Sequence, residues 1–398
     1  MDPIDLGVVG MVRVVGIDPG TKTFDIIVLE DGSVKVEQSL DTFSIAKEPQ
    51  ILIEAIDRLE PEYIVAPSGY GVPITFGDNI RDAERFSTEI ILLSTGDAIR
   101  AGAKAGEVGI WVYDAIVKTV SHLVKNYRER VVFLPAVIHL RTVPRYRKIN
   151  KVDMGTVDKL ASAFLAVYEM SERLGKDFRE INIVVTELGF GYAASIAVER
   201  GFVVDGIGGS YASIGTLTAG ALDLEVVVGV GMWSRWDVFY GGVFHGAKTF
   251  DLETIVKGYE AGEEPYTSMF SAFIEGVAKD IARMRISSPK ADTIVLTGRH
   301  SRNTTVLQHL RELFKDLNVT TLRGLKGVTK AKEAAQGYAA IGEGIVGGYF
   351  RDLVKHMDIE GACGTSVDYI IHARAQNFVE RVRRAYIETV HRSNLCKE

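Results

Sequence analysis

Cysteine is nearly absent: Cys363 and Cys396 are the only two in 398 residues. Two are too few for a disulfide framework or a cysteine-bound zinc site, so the expected compartment is a reducing cytoplasm. Long apolar runs are missing as well. No stretch approaches the ~20 apolar residues of a membrane helix. The opening MDPIDLGVVG has no basic n-region of a signal peptide. Residues 1–10 read as a dispensable extension, with Met11 opening the first strand. Excess positive charge is also missing. The net charge is −6, so bulk electrostatics offers nothing to a nucleic acid. There is no G-x-x-x-x-G-K-[ST] loop, no H-E-x-x-H, no paired C-x-x-C and no G-x-S-x-G elbow. Gly189-Phe190-Gly191 lacks the third glycine of a dinucleotide fingerprint. Neither low-complexity tracts nor a short solenoid period occur.

What is present suits a globular protein of two domains: 46% hydrophobic residues, 25% charged residues and 40 glycines. Two β-branched runs, Val12–Ile17 and Ile26–Leu29, flank the bend Asp18-Pro19-Gly20-Thr21-Lys22-Thr23. A third strand at Val34–Leu40, a helix at Gln50–Leu59 and a buried strand at Tyr63–Ala66 follow, the order of a ribonuclease-H-like half. Gly109–Lys125 reads as a helix, Val131–Leu134 as a strand and Gly155–Leu174 as a long apolar-faced helix. Then the pattern restarts. The strand Ile181–Thr186 ends in Glu187-Leu188-Gly189-Phe190-Gly191-Tyr192, before strands at Ala193–Val198 and Phe202–Asp205. Helices are expected at about 251–257, 267–285, Val306–Phe314, Lys330–Gly344 and Gln376–Val390, and strands at Ile294–Leu296 and Val319–Leu322. Domains of 11–153 and 154–365 are the expected division, with 366–398 packing back on the first.

The two bends carry the chemistry. Gly20 lets backbone approach a ligand, and Thr21, Lys22 and Thr23 offer hydroxyl, ammonium and N–H donors to phosphate oxygens. Asp18 is placed to hold a hydrated Mg²⁺. Glu187 is a second metal-side or water-positioning acid, or else a strand-end residue facing solvent. Two such bends in a two-lobed protein can grip one polyphosphate from both sides. Asp153 and Asp158 are candidate bases, with helix capping as the plainer reading. The basic loop with Arg141, Arg145, Arg147, Lys148 and Lys151 is either a clamp for an acidic substrate or a solvated surface. Ser68, Gly69, Tyr70 and Gly71 are expected to wall the acceptor pocket, or to form a structural loop. Trp233, Trp236, His139, His245 and His300 read as structural, and Asp82–Arg85 and Arg381–Arg384 as solvated.

These stretches, in this order, resemble the actin/Hsp70/sugar-kinase superfamily. Asp18–Thr23 is similar to its first phosphate loop, and Glu187–Gly191 to its second. Ile294-Val295-Leu296-Thr297-Gly298 is similar to its adenosine motif, and Met154–Lys159 and Ala334–Ala340 to its connecting helices. The implied fold is α/β: two ribonuclease-H-like, actin-like ATPase domains flanking a nucleotide cleft. Within the superfamily the chain most resembles acetate and butyrate kinases, more narrowly an archaeal family described as predicted butyrate kinases. That implies ATP and Mg²⁺ as cofactors, with contacts from Gly20, Thr21, Lys22, Thr23, Gly189, Phe190, Gly191, Thr297, Gly298 and Arg299. It implies Asp18, Asp153, Glu187 and Arg141 as catalytic residues, and Asp18, Glu187 and Glu333 on the metal side. The acceptor would be a small, acidic molecule, phosphorylated to an acyl phosphate, in a protein compatible with a homodimer. The sequence departs from the pattern at Glu187, where the family has His, and in Gly206–Gly220, which lacks the family's Arg. An ATP-driven switch acting on a protein partner is the alternative these departures raise.

Overall fold

The computed structural model describes residues 12–396. The extension expected at residues 1–10, and Met11, lie outside the described residues.

Two sheets organise the chain. The first contains β1 (Arg13–Pro19), β2 (Thr23–Glu30), β3 (Ser33–Asp41), β4 (Tyr63–Val65), β5 (Thr75–Phe76) and β6 (Val131–Phe133), in the order β3-β2-β1-β4-β6-β5. The second contains β7 (Ile183–Leu188), β8 (Ala193–Glu199), β9 (Phe202–Ile207), β10 (Thr293–Thr297) and β11 (Asn318–Thr321), in the order β11-β10-β7-β8-β9. Both begin with an antiparallel meander and continue with parallel strands beside the first strand. The second sheet thus repeats the first, as the restart at residue 181 leads one to expect.

Side-chain alternation divides each sheet into two buried faces. Val14, Ile27, Leu29 and Val65 of the first sheet share one core with Ile183, Val185, Ile196 and Val295 of the second. Between them lie the helices Val157–Leu174 and Glu333–Ile345. Only small residues permit that approach. A Cβ on Gly337 would lie 2.1 Å from the Ala161 carbonyl oxygen, which accounts for the sequence AAQGYAAIGEG. The outer face of the first sheet is covered by the helix Val108–Tyr127 and by Ala385, Tyr386 and Val390 from the chain's end. The outer face of the second lies under the helix Tyr266–Ser287.

Arg85 pairs with Glu89 at 2.8 Å and Glu388 at 2.6 Å, tying the last helix to the first unit. Arg383 is exposed and lies 3.2 Å from Asp368. Cys363 and Cys396 form a disulfide. Gly364 N donates to Asn394 O, and Asn394 Nδ2 to Ala362 O, so the chain's end runs beside residues 362–364. This pairing removes the ground for assigning a reducing compartment from the cysteine count. Among the described residues no helix is long and apolar enough to cross a membrane.

Candidate active site in the cleft between the two sheets

The β1–β2 turn forms one wall of a cleft of about 540 Å³. Its backbone is fixed by Thr42, whose N–H donates to Lys22 O and whose hydroxyl donates to Gly20 O. Gly20 is required because a Cβ there would lie 2.0 Å from Lys332 Nζ and 2.7 Å from Thr23 O. That ammonium stands 2.6 Å from Asp18 Oδ2 and 3.5 Å from Asp25 Oδ2. Asp18 is a buried carboxylate. Burial pushes the Asp18 carboxyl above its ordinary pKa, against the opposing pull of Lys332. Lys332 immediately precedes the helix Glu333–Ile345.

The β7–β8 turn forms the facing wall. Gly189 N donates to Tyr192 O, and the N–H groups of Leu217 and Thr218 donate to Gly191 O. A Cβ on Gly191 would lie 3.5 Å from Thr21 Oγ1, so the two turns are opposed across the cleft. Lys22 Nζ stands 5.3 Å from the centre of the Phe190 ring, closing one side. Glu187 Oε1 is 3.3 Å from Lys159 Nζ, which also binds Asp158. Glu187 Oε2 is buried and has no hydrogen-bond partner. Burial pushes the Glu187 carboxyl up to about 7, with Lys159 pulling the other way. Gly298, with φ +85°, packs behind this turn: a Cβ there would meet Glu187 Cγ and Leu188 O. Arg299, just after it, lines the cleft.

The far end of the cleft is aromatic and apolar. Tyr70, Tyr113, Tyr192, Trp236, Phe239 and Tyr240 line it. Trp236, Phe239 and Tyr240 come from the excursion 219–241 and the other three contact it; its stem is the bridge between Thr218 and Gly241. Arg235 Nη2 donates to the hydroxyls of Tyr70 at 2.8 Å and Tyr113 at 3.1 Å. Burial pushes the Tyr70 phenol up to about 12, so it remains a neutral hydroxyl near pH 7. Asp153 lines the middle of the cleft and accepts from Gly155 N at 2.8 Å. Burial pushes it up to about 6, with the Gly155 N–H and the Lys159 charge opposing.

Residues 16–372 match a family model described as "Protein of unknown function (DUF1464)". The chain belongs to this DUF1464 family. No curated protein matches it. Among solved structures, the acetate kinase of Porphyromonas gingivalis superposes with a TM-score of 0.54 at 14% identity, covering 82% of this chain and 98% of that one. The propionate kinase of Francisella tularensis subsp. tularensis SCHU S4 gives 0.53 at 13% identity, covering 83% and 98%. The shared property is the fold, two actin-like α/β domains.

In this DUF1464 chain the cleft gathers Gly20, Thr21, Lys22, Thr23, Gly69, Tyr70, Asp153, Glu187, Gly189, Phe190, Gly191 and Arg299. Other expected site residues fall elsewhere. Arg141 lies on the surface, with Nε 3.2 Å and Nη2 3.1 Å from the Asp358 carboxylate. Arg145 is exposed. Arg147 donates to Val204 O at 2.7 Å and lies 3.9 Å from Asp205. Arg141 and Arg147 are therefore spent on a carboxylate and a carbonyl of the second unit, and Lys148 on Leu140 O, outside the cleft lining. Ser68 is buried, donating to Ala66 O and accepting from Leu134 N. Gly71 packs against Ala136 and Val157. Thr297 donates to Glu333, and Arg302 binds Glu333 at 2.6 Å.

These pairings bear on the expected metal. Asp18, Glu187 and Glu333 each face a cation, respectively Lys332, Lys159 and Arg302. No group of three or more His, Cys, Asp or Glu suited to a metal occurs among the described residues. The three acids do not form a metal cage. The paired turns fit a polyphosphate better. They leave a gap at Gly191 that a side chain would narrow, and the same cleft is lined by the ammonium-bearing Lys159 and Lys332. Lys159 and Lys332 line the cleft without being legible as site residues, because a lone cation beside an acid carries no local signature. Trp236 and His245, read as structural, line the cleft.

Proposed function

We propose that this protein binds ATP with its phosphates between the Asp18–Thr23 and Glu187–Tyr192 turns. It then transfers the terminal phosphoryl group to a small carboxylate, as a butyrate-type kinase does. The observation that carries this reading is the opposition of Gly191 to Thr21. Phosphoryl transfer needs positioning and charge neutralisation more than covalent help. Thr21, Lys22 and Thr23 supply donors on one side and the N–H groups of Phe190 and Gly191 on the other. Lys159 and Lys332 offset the phosphate charge. Gly298 and Arg299 receive the adenosine end. A carboxylate acceptor is already ionised, so no base is required; Asp153 would serve an alcohol. Mg²⁺, where present, would travel with the nucleotide's phosphates. The two lobes are taken as 11–153 and 154–365, with 366–398 on the first.

The test is ADP release by pure protein, with and without short-chain carboxylates, alongside calorimetry with adenine nucleotides. Binding plus carboxylate-dependent turnover is expected. Binding without any small-molecule acceptor, but with hydrolysis stimulated by a protein, would replace the kinase by the switch. The absence of arginine from Gly206–Gly220 favours that second reading. Failure to bind nucleotide would remove both.

A further inference from the structure

The excursion 219–241 has two sides. Its inner side is occupied by contacts: Trp236, Phe239 and Tyr240 line the cleft, and Arg235 Nη2 donates to Tyr70 and Tyr113. Its outer side is bare. Asp223 opens the helix Leu224–Val230 by accepting from Glu225 N, and no residue of that helix is buried. Leu224, Val226, Val228 and Val230 are 45–68% exposed. Leu222 before the helix, and Met232 and Trp233 after it, extend the apolar surface at 42–89% exposure. Trp233 Nε1 donates to Val227 O at 3.2 Å, which folds the indole back onto the helix and keeps the patch in one piece.

A surface helix ordinarily buries one stripe and wets the other. Residues two apart lie on opposite faces of a helix, so here apolar side chains leave it on both. So short a helix is marginal in water without a surface to pack on. The seven residues together expose about 800 Å², mostly apolar, which exceeds the ~300–600 Å² of the largest patch on a typical monomer and equals the ~800 Å² per partner of a standard interface. The charges at this surface are two acids, Asp223 and Glu225, at its start. Helices that lie on anionic lipid are rich in Lys and Arg, so a membrane is the poorer match. A second copy fits better. A twofold axis crossing the helix sets the two copies antiparallel, which keeps the acids of one at the far end from the acids of the other. A Cβ on Gly229 would meet nothing within 4 Å, so the two backbones can approach closely there.

We propose that the outer side of the excursion, centred on Val228 and Gly229, is the twofold interface of a homodimer. Its occupant is the same helix of a second copy of this chain. The inner side stays on the cleft, so the aromatic cleft wall of each copy is backed by its partner instead of by water. The interface stands apart from the kinase reading: it is the same whether the cleft transfers phosphate, hydrolyses ATP or does neither.

The experiment is sedimentation equilibrium of the full chain, with light scattering after size exclusion. A dimer is expected at a loading of about 10 μM. Val228→Glu and Met232→Glu each place two unpaired carboxylates in the contact, one from each copy. Each is expected to raise the dimer dissociation constant about 100-fold or more. Both positions are exposed within one chain, so the variants keep the monomer fold, which near-UV circular dichroism checks. Ile286→Glu makes the same change at an exposed position of the helix Tyr266–Ser287, outside the patch; it should move the dissociation constant less than about twofold. A wild-type chain that stays monomeric up to about 100 μM would overturn the interface, and its co-sedimentation with phosphatidylcholine vesicles would hand the patch to a membrane. A dimer that neither Val228→Glu nor Met232→Glu weakens, or that Ile286→Glu weakens as much, would also overturn it by placing the contact elsewhere.

Discussion

Removing the ammonium of Lys332 strands two carboxylates. In the folded protein it stands 2.6 Å from Asp18 Oδ2 and 3.5 Å from Asp25 Oδ2. The Asp18 side chain is 3% exposed, Asp25 0% and Lys332 26%. At an effective dielectric of about 20, these separations correspond to attractions of about 6 and about 5 kcal/mol. Most of that offsets the cost of taking three charges out of water. What remains measurable is the cost of breaking the group from one side, about 3–5 kcal/mol for a buried pair. A quarter-exposed lysine sits at the low end, about 3 kcal/mol. Lys332→Met keeps the aliphatic stem and deletes the charge. Urea unfolding at pH 7 is expected to show that loss. It should narrow near pH 4, where a stranded carboxylate can take a proton. Adding Asp18→Asn to Lys332→Met should recover part of the loss, since it removes one of the stranded charges. A Lys332→Met protein within 1 kcal/mol of wild type, or an Asp18→Asn change that deepens the loss, would refute the reasoning.

Gly191→Ala adds a methyl where the neighbours are Leu217 Cδ1 at 3.2 Å and Thr21 Oγ1 at 3.5 Å. The leucine end can shift, so unfolding free energy should change by less than about 1 kcal/mol, while calorimetry should show ATP affinity down tenfold or more. Burial raises the Glu187 carboxyl to about 7, above its unfolded value. Its contribution to stability is therefore complete below about pH 4.5 and is lost as pH rises through about 7. Glu187→Gln should gain stability relative to wild type between pH 5 and 7.5, and a pH-independent gap in urea melts would contradict this. Arg141→Ala removes an exposed pair with Asp358, 61% exposed on the arginine side. It should cost under about 1 kcal/mol and leave nucleotide binding and turnover unchanged; a large loss of turnover would restore Arg141 to the site.

Much of this protein is legible in its residue order. Alternating β-branched positions such as Val14/Val15 and Ile26/Ile27 divide between two cores in the folded chain, and period-2 patterning reports that directly. The turns at Gly20 and Gly191 announce themselves through glycine between strands. The small residues of Ala334–Gly344 signal close helix packing. Charge is harder to read. Arg141, Arg145 and Arg147 form the densest basic run, yet they lie outside the cleft lining. The solitary Lys159 and Lys332 reach the cleft.

The sequence by itself determined two repeated strand–turn–strand units, the helices between them and the glycines at their bends. Those features follow from local periodicity and from the backbone conformations each residue permits. Only the tertiary structure decided which bend faces which, and which cations meet which acids. A salt bridge between Asp18 and Lys332 spans 314 positions, and Arg235 reaches Tyr70 across 165. Coulomb attraction depends on distance in space, and neighbours along the chain carry no record of it.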